Sequence, residues 1–191
     1  NLTLNKWHHI AFTFDRDGNG VIYINGAANR TAAANPNNYS SVDITSTANV
    51  FLGRGDGYFD GEISNAATFN TSLDAAAVST LFNSGTPQTS ISSSPISWWK
   101  LDNTATGIED SGSASNNGTN NGATVTDIQV STLNGLSTGM NTANLVNSDL
   151  TRSIPYSSYS MVFDGINDYI GCGQNTSLDT GDLSASIWIN K

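Results

Sequence analysis

Asp110, Asp164 and Asp168 are the residues of this sequence best placed to hold a metal ion. They stand among Gly, Ser and Asn in E-D-S-G and F-D-G-I-N-D. A hard cation such as Ca2+ takes roughly six to eight oxygen ligands, and loops can supply carboxylates and backbone carbonyls together. The same residues also close turns by accepting hydrogen bonds from nearby backbone N–H groups, a role that suits Asp164-Gly165 and Asn167-Asp168. Asp15–Gly20, DRDGNG, opens like a calcium loop of the EF-hand kind. Its twelfth position, which should carry a bidentate Glu, is Gly26, and its flanks have strand character, so a hairpin turn is expected.

Other chemistry has less support. His8 and His9, the two histidines, are adjacent and so point to opposite faces of a strand, where they cannot share a metal. His8 falls in phase with Ile10, Phe12 and Phe14 and reads as a core or edge histidine. Trp188, Tyr58 and Tyr169 are candidates for ligand binding, since aromatic rings offer a broad apolar face with a polar handle. Trp188 draws notice because it alternates with Ser184, Ser186 and Asn190. Trp98 and Trp99 are neighbours, of which one is expected to face a core. Arg54-Gly55-Asp56 spells an integrin-type tripeptide, for which a plain turn is the expected reading. No nucleophile elbow, phosphate loop or Ser-His-Asp pattern is present.

These residues must be positioned by strands. Trp7–Gly26 reads as a hairpin: His8, Ile10, Phe12 and Phe14 on the expected core face, turn formers at Asp15–Gly20, then Val21–Ile24 and the tight-turn pair Asn25-Gly26. Residues 27–48 read as a loop with a weak strand near Ser41–Ile44. Strands are expected at Asn49–Arg54, Tyr58–Asn70, Met161–Asp164, Asp168–Gly171 and Leu183–Asn190, and Ile96–Asp102 begins a further apolar run. In the last, Leu183, Ala185, Ile187 and Ile189 are assigned inward. Leu73–Asn83 is the one helical stretch, with Ser72 as its N-cap. Gln88–Pro95 is Ser/Thr-rich and reads as a linker, and residues 107–122 as a Gly/Asn-rich loop.

The chain has 191 residues, 37% hydrophobic and 12% charged, with a net charge of −9. Its negative charge argues against nucleic acid and anionic membranes as partners. No apolar run approaches the ~20 residues that span a bilayer. Cys172 is the single cysteine, which rules out an intrachain disulfide. The first residue is Asn rather than Met, as expected of a fragment or processed product.

The hairpin, with Trp7, His8, His9, Ala11, Thr13, Asp15, Tyr23, Asn25 and Gly26 in order, resembles laminin G-like domains of the concanavalin A-like lectin superfamily. Leu52-Gly53-Arg54, Tyr58–Ile63 and the run from Leu73 to Gly85 are similar to the end of such a domain. Trp99-Lys100-Leu101-Asp102, Met161–Ile170 and Leu183–Ile189 are similar to its beginning. Residues 1–87 therefore resemble a C-terminal part, 88–95 a linker and 96–191 an N-terminal part. Three arrangements are compatible with that inverted order: a cut across two tandem domains, which is favoured; a circularly permuted sandwich; or halves that complete one another between chains by self-association.

The resemblance implies an all-β fold, an antiparallel β-sandwich of jelly-roll type. It implies a non-catalytic extracellular recognition module for glycans or cell-surface ligands, with calcium as a cofactor at Asp110, Asp164 and Asp168. Hydrolases on this fold carry a Glu-x-Asp-x-x-Glu or Glu-x-Asp-x-Glu strand. Glu62 and Glu109, the two glutamates, lie in no such motif. Laminin G-like domains often carry an acidic pair where this sequence has Ser64 and Asn65. The alternatives are a structural repeat of a stalk, phage fibre or capsid decoration, and an accessory part of a carbohydrate-active enzyme. The expected location is extracellular or on a virion surface.

Overall fold

A computed structural model describes residues 2–32, 48–85, 87–88, 90–103, 108–127, 159–174 and 181–191. In chain order the elements are β1 (Trp7–Phe14), β2 (Gly20–Ile24), β3 (Ala27–Ala32), β4 (Phe51–Leu52), β5 (Asp60–Phe69), α1 (Ala75–Phe82), β6 (Ser97–Trp99), β7 (Thr119–Asn121), β8 (Thr124–Asp127), β9 (Tyr159–Asp164), β10 (Tyr169–Gly171) and β11 (Leu183–Asn190). Among the described residues they form two sheets. The larger runs β3-β2-β1-β11-β5-β9-β8, with β6 also paired to β5; the smaller is β4-β10-β7. Every ladder is antiparallel. The fold is a β-sandwich of jelly-roll type.

Strands from residues 1–87 and 96–191 share the larger sheet. β11 lies between β1 and β5, in register with β1 from Trp7↔Asn190 to Phe14↔Leu183. The Asn5 N–H donates to the Lys191 carbonyl at 2.6 Å and extends that edge.

Each face of the larger sheet carries a packed layer over part of its width. One packs on the smaller sheet through Ile63, Ala66, Trp99, Leu101, Met161, Phe163 and Ile170, with Ile187 and Ile189 at the margin. The other is covered by α1 and its lead-in, through Ala11, Tyr23, Ala67, Phe69, Leu73, Val78, Leu81 and Trp98. Trp98 and Trp99 are therefore both buried, on opposite faces, where a single inward tryptophan was expected. A bulge at Asn65, whose φ is 48°, lets β5 serve both layers. It changes the phase of the strand, so Ile63 and Ala66 face the sandwich while Ala67 and Phe69 face the helix.

The covered second face corrects the expected orientation of β1 and adds a second buried side to β11. In β1 the buried residues are His9, Ala11 and Thr13, not His8, Ile10, Phe12 and Phe14. In β11 they are Ser184, Ser186 and Trp188, the set expected to face outward, while Ile187 and Ile189 pack on the sandwich core as expected. The serines tolerate burial because they are hydrogen-bonded. Ser184 Oγ donates to the Thr71 carbonyl at 2.7 Å and accepts from the Leu73 N–H at 2.8 Å. Ser186 Oγ lies 2.8 Å from His9 Nε2. On the opposite face Phe12 and Ile22, partners in register, stay 37% and 40% exposed.

The same bond to Leu73 moves the helix start. With residues 71–73 tied to β11, α1 is capped by Asp74 rather than Ser72, and its carboxylate accepts from the Ala77 N–H at 2.8 Å. Asn83 closes the helix in the left-handed region. The Asn25-Gly26 turn has φ of 51° and 76°, a primed two-residue hairpin that leads into β3. A Cβ on Gly26 would stand 2.8 Å from the Phe82 ring, so helix and turn fit only around glycine. β3 was expected to be loop. It lacks an apolar stripe, but as an outer strand it is held by its backbone bonds to β2. The expected strand at Ser41–Ile44 lies outside the described residues.

Because β11 ties both segments into one sheet, thermal melting is expected to show one cooperative transition. Ser184→Ala leaves the Leu73 N–H and Thr71 carbonyl without their partner and is expected to cost about 2 kcal/mol. Urea unfolding of the two proteins measures it, with the midpoint falling and the slope unchanged.

Candidate functional site

The loop between β4 and β5 builds the most site-like feature among the described residues. After Leu52 the chain turns at Gly53, whose φ is 81° and whose Cβ, if present, would stand 2.5 Å from the Phe163 ring. The Phe59 N–H donates to the Gly53 carbonyl and the Gly55 N–H to the Gly57 carbonyl, both at 2.8 Å. Arg54 and Tyr58 face each other across this small hairpin. β10 lies beside β4, with Gly171 opposite Phe51 and Ile170 opposite Leu52. Ile170 and Leu52 enter the sandwich core, so Phe51 and Tyr169 project from the outer side of the small sheet.

Three rings and a guanidinium gather there. Arg54 Cζ lies 5.0 Å from the Phe51 ring centre, 5.0 Å from that of Tyr169 and 6.0 Å from that of Tyr58. Tyr169 meets Phe51 edge-on at 5.6 Å and Tyr58 at 6.5 Å. Such contacts hold a long cationic side chain against the protein. Tyr58 is 39% exposed. Beside the cluster runs an open groove of about 460 Å³, walled by Gly53, Arg54, Gly57 and Tyr58 and floored by Ile63, Ile187 and Ile189. An apolar floor with aromatic and charged walls can take a ligand that is apolar on one face and polar at its edge.

Two ligand-binding candidates from the sequence, Tyr58 and Tyr169, are thus brought together. Trp188 is elsewhere. It is 4% exposed and packed between the rings of His9, at 5.2 Å, and Phe82, at 5.9 Å, under α1. Phe51 was missed as part of the cluster and Arg54 was weighed only as part of a tripeptide. The signal available was their flanking of Gly53, but nothing local to that segment shows that Tyr169 lies alongside.

The metal candidates sit in two separate turns. Asp110 Oδ1 accepts from the Trp98 and Gly112 N–H groups, each at 2.7 Å, and its Oδ2 accepts from the Asn116 N–H at 2.8 Å. Asp164 Oδ1 accepts from the Ile166 and Asn167 N–H groups at 2.8 and 3.2 Å. These backbone bonds, that from Ile166 foremost, hold the Asp164 carboxyl below its ordinary pKa. Asp168 Oδ2 accepts from the Asp164 N–H at 3.1 Å. Among the described residues no three His, Cys, Asp or Glu side chains form a metal-sized group. Carboxylates occupied by backbone donors in this way do not fit a shared calcium site. At Asp15 the DRDGNG stretch is a hairpin turn, with the Asp17 N–H donating to Asp15 Oδ1 at 2.9 Å.

His9, not His8, is the core histidine. It is fully buried, and burial pulls its pKa down to about 4. Its Nδ1 has no hydrogen-bond partner among the described residues. His8 instead meets Thr3 through Nε2 and Asn25 through Nδ1 at the surface. Burial, with the Asp110 charge as a smaller cause, pushes the Cys172 thiol up to about 12, leaving it unreactive. Among the described residues no helix is long and apolar enough to cross a membrane.

Residues 1–79 match a laminin G-type family model described as the concanavalin A-like lectin/glucanases superfamily. The matched segment carries the β1–β2 hairpin, β3, β4, the Arg54 loop, β5 and the first turn of α1. Comparison with curated proteins and comparison with solved structures each give no match.

Two measurements check these assignments. Melting temperatures in calcium and in chelator are expected to coincide, and a calcium-dependent rise would restore the aspartates as ligands. For His9, the unfolded chain takes up a proton below pH ~6.5, while the folded chain takes it up only near pH 4. Stability therefore falls as pH drops through that window, by about 3 kcal/mol from this residue. Urea unfolding from pH 7 to 4 is expected to show a steeper loss in the wild type than in His9→Gln.

Proposed function

We propose that the chain is a non-catalytic recognition module that binds glycans through the Arg54–Tyr58–Tyr169–Phe51 cluster and the groove beside it. The observation that carries this reading is the convergence of Tyr58 and Tyr169 on Arg54, beside a groove that Arg54 and Tyr58 line together with the apolar Ile63, Ile187 and Ile189. Pyranose rings have an apolar face of C–H groups and a rim of hydroxyls. Tyrosine suits both, stacking its ring on the first and bonding its hydroxyl to the second. The superfamily of the matched segment counts sugar binders and sugar hydrolases among its members. Binding is the better supported of the two. Hydrolysis calls for two carboxyl groups about 5–10 Å apart across the scissile bond, and neither Glu62 nor Glu109 is among the groove's walls. Glu62 instead accepts a hydrogen bond from Asn190 at 3.1 Å.

The module works as one body, with its ligand on the outside of the small sheet and the edge of the groove. An extracellular or virion-surface setting suits such a role.

Binding to a glycan array is the test. Tyr58→Ala and Tyr169→Ala are each expected to weaken binding about tenfold, roughly 1.4 kcal/mol, with melting temperatures little changed. Trp188→Phe is expected to affect stability rather than affinity. Binding unaffected by either tyrosine change would rule out this face as the site.

A further inference from the structure

The way Arg54 is held narrows the ligand class. Among the described residues its guanidinium contacts rings, and no carboxylate is hydrogen-bonded to it. A guanidinium carries its N–H groups in its own plane, and that planar fork matches the two oxygens of a carboxylate. The rings hold the side chain in place before any ligand arrives, so little rotamer freedom is left to lose on binding. Arg54 also forms one wall of the groove together with Tyr58, which brings the cation and an exposed ring to the same edge of the same space.

Charge limits the ligand from the other side. The chain carries a net charge of −9, with Asp56 exposed at the tip of the same loop. A densely charged polyanion would meet repulsion that a single carboxylate largely avoids. We infer that the cluster recognises a saccharide carrying one carboxylate, of the uronic acid class, which pairs with Arg54 while the sugar ring lies against Tyr58 and Tyr169. This rests on the glycan-binding reading and sharpens it.

The test is an array of neutral oligosaccharides on hexose and pentose backbones. Each is displayed in two forms, one bearing a single uronic acid and one with that carboxyl reduced to the alcohol. The wild type is expected to bind the acid form of at least one pair about tenfold more tightly. Arg54→Gln should bind both forms of that pair alike, at the level of the reduced form, and Arg54→Lys should recover only part of the preference. Equal binding of both forms by the wild type would overturn the carboxylate assignment and leave sugar recognition standing, as would a preference that persists in Arg54→Gln. Absence of binding to every oligosaccharide in both forms would overturn both. Circular dichroism and melting confirm that the variants are folded; if Arg54→Gln is not, the wild-type comparison and Arg54→Lys decide.

Discussion

The ladder between β11 and β1 holds the rest of the structure in place. It joins the last described strand to the first over eight residue pairs, and the other edge of β11 is taken by β5. A strand paired on both edges, with one side chain set buried under the helix layer and the other half-buried toward the sandwich, keeps little surface for water. Its residues must therefore satisfy four neighbours together. The side chains of β11 meet that demand unevenly. Ile187 and Ile189 supply apolar bulk toward the sandwich. Ser184 and Ser186 supply small hydroxyls toward the helix layer, where Thr71, Leu73 and His9 provide hydrogen bonds.

The helix layer follows from those serines. Ser184 fixes the chain at residues 71–73, which sets where α1 can begin and which way it lies. Phe82 at its end then reaches over Gly26 and stacks on Trp188, which in turn meets His9. A polar histidine in so dry a place stays neutral because its ionised form would lose hydration with no carboxylate to replace it. The pH response expected of the fold follows from that burial.

The candidate site belongs to the other layer, outside the small sheet. It owes its form to one close approach, Gly53 against Phe163, which folds the loop back so that Arg54 and Tyr58 stand beside Tyr169. The core residue Phe163 and the surface residue Arg54 are linked through a position where no side chain fits. Rigid support below and an exposed aromatic edge above are what a preorganised binding face requires.

The amino-acid sequence by itself determined the strands and turns with strong local signatures. The Trp7–Ile24 hairpin, the Asn25-Gly26 turn, the β11 segment and helix α1 are written in alternation and turn chemistry, whereas the antiparallel sandwich class came from the family resemblance of the motifs. Aspartate turns were equally legible as turns, because Asp164 and Asp168 bond to backbone within a few residues. Which face of a strand is buried was left to the tertiary structure. Alternation marks two faces but does not count the layers that cover them, so β1, β11 and the Trp98-Trp99 pair read differently once α1 closed the second face. The helix cap moved for a similar reason, since Ser184 is more than a hundred residues from Leu73. The candidate site was half legible: Tyr58 and Tyr169 were singled out by residue type. Their meeting with Arg54 and Phe51 depends on β4 pairing with β10, a contact between distant parts of the chain that no local pattern encodes.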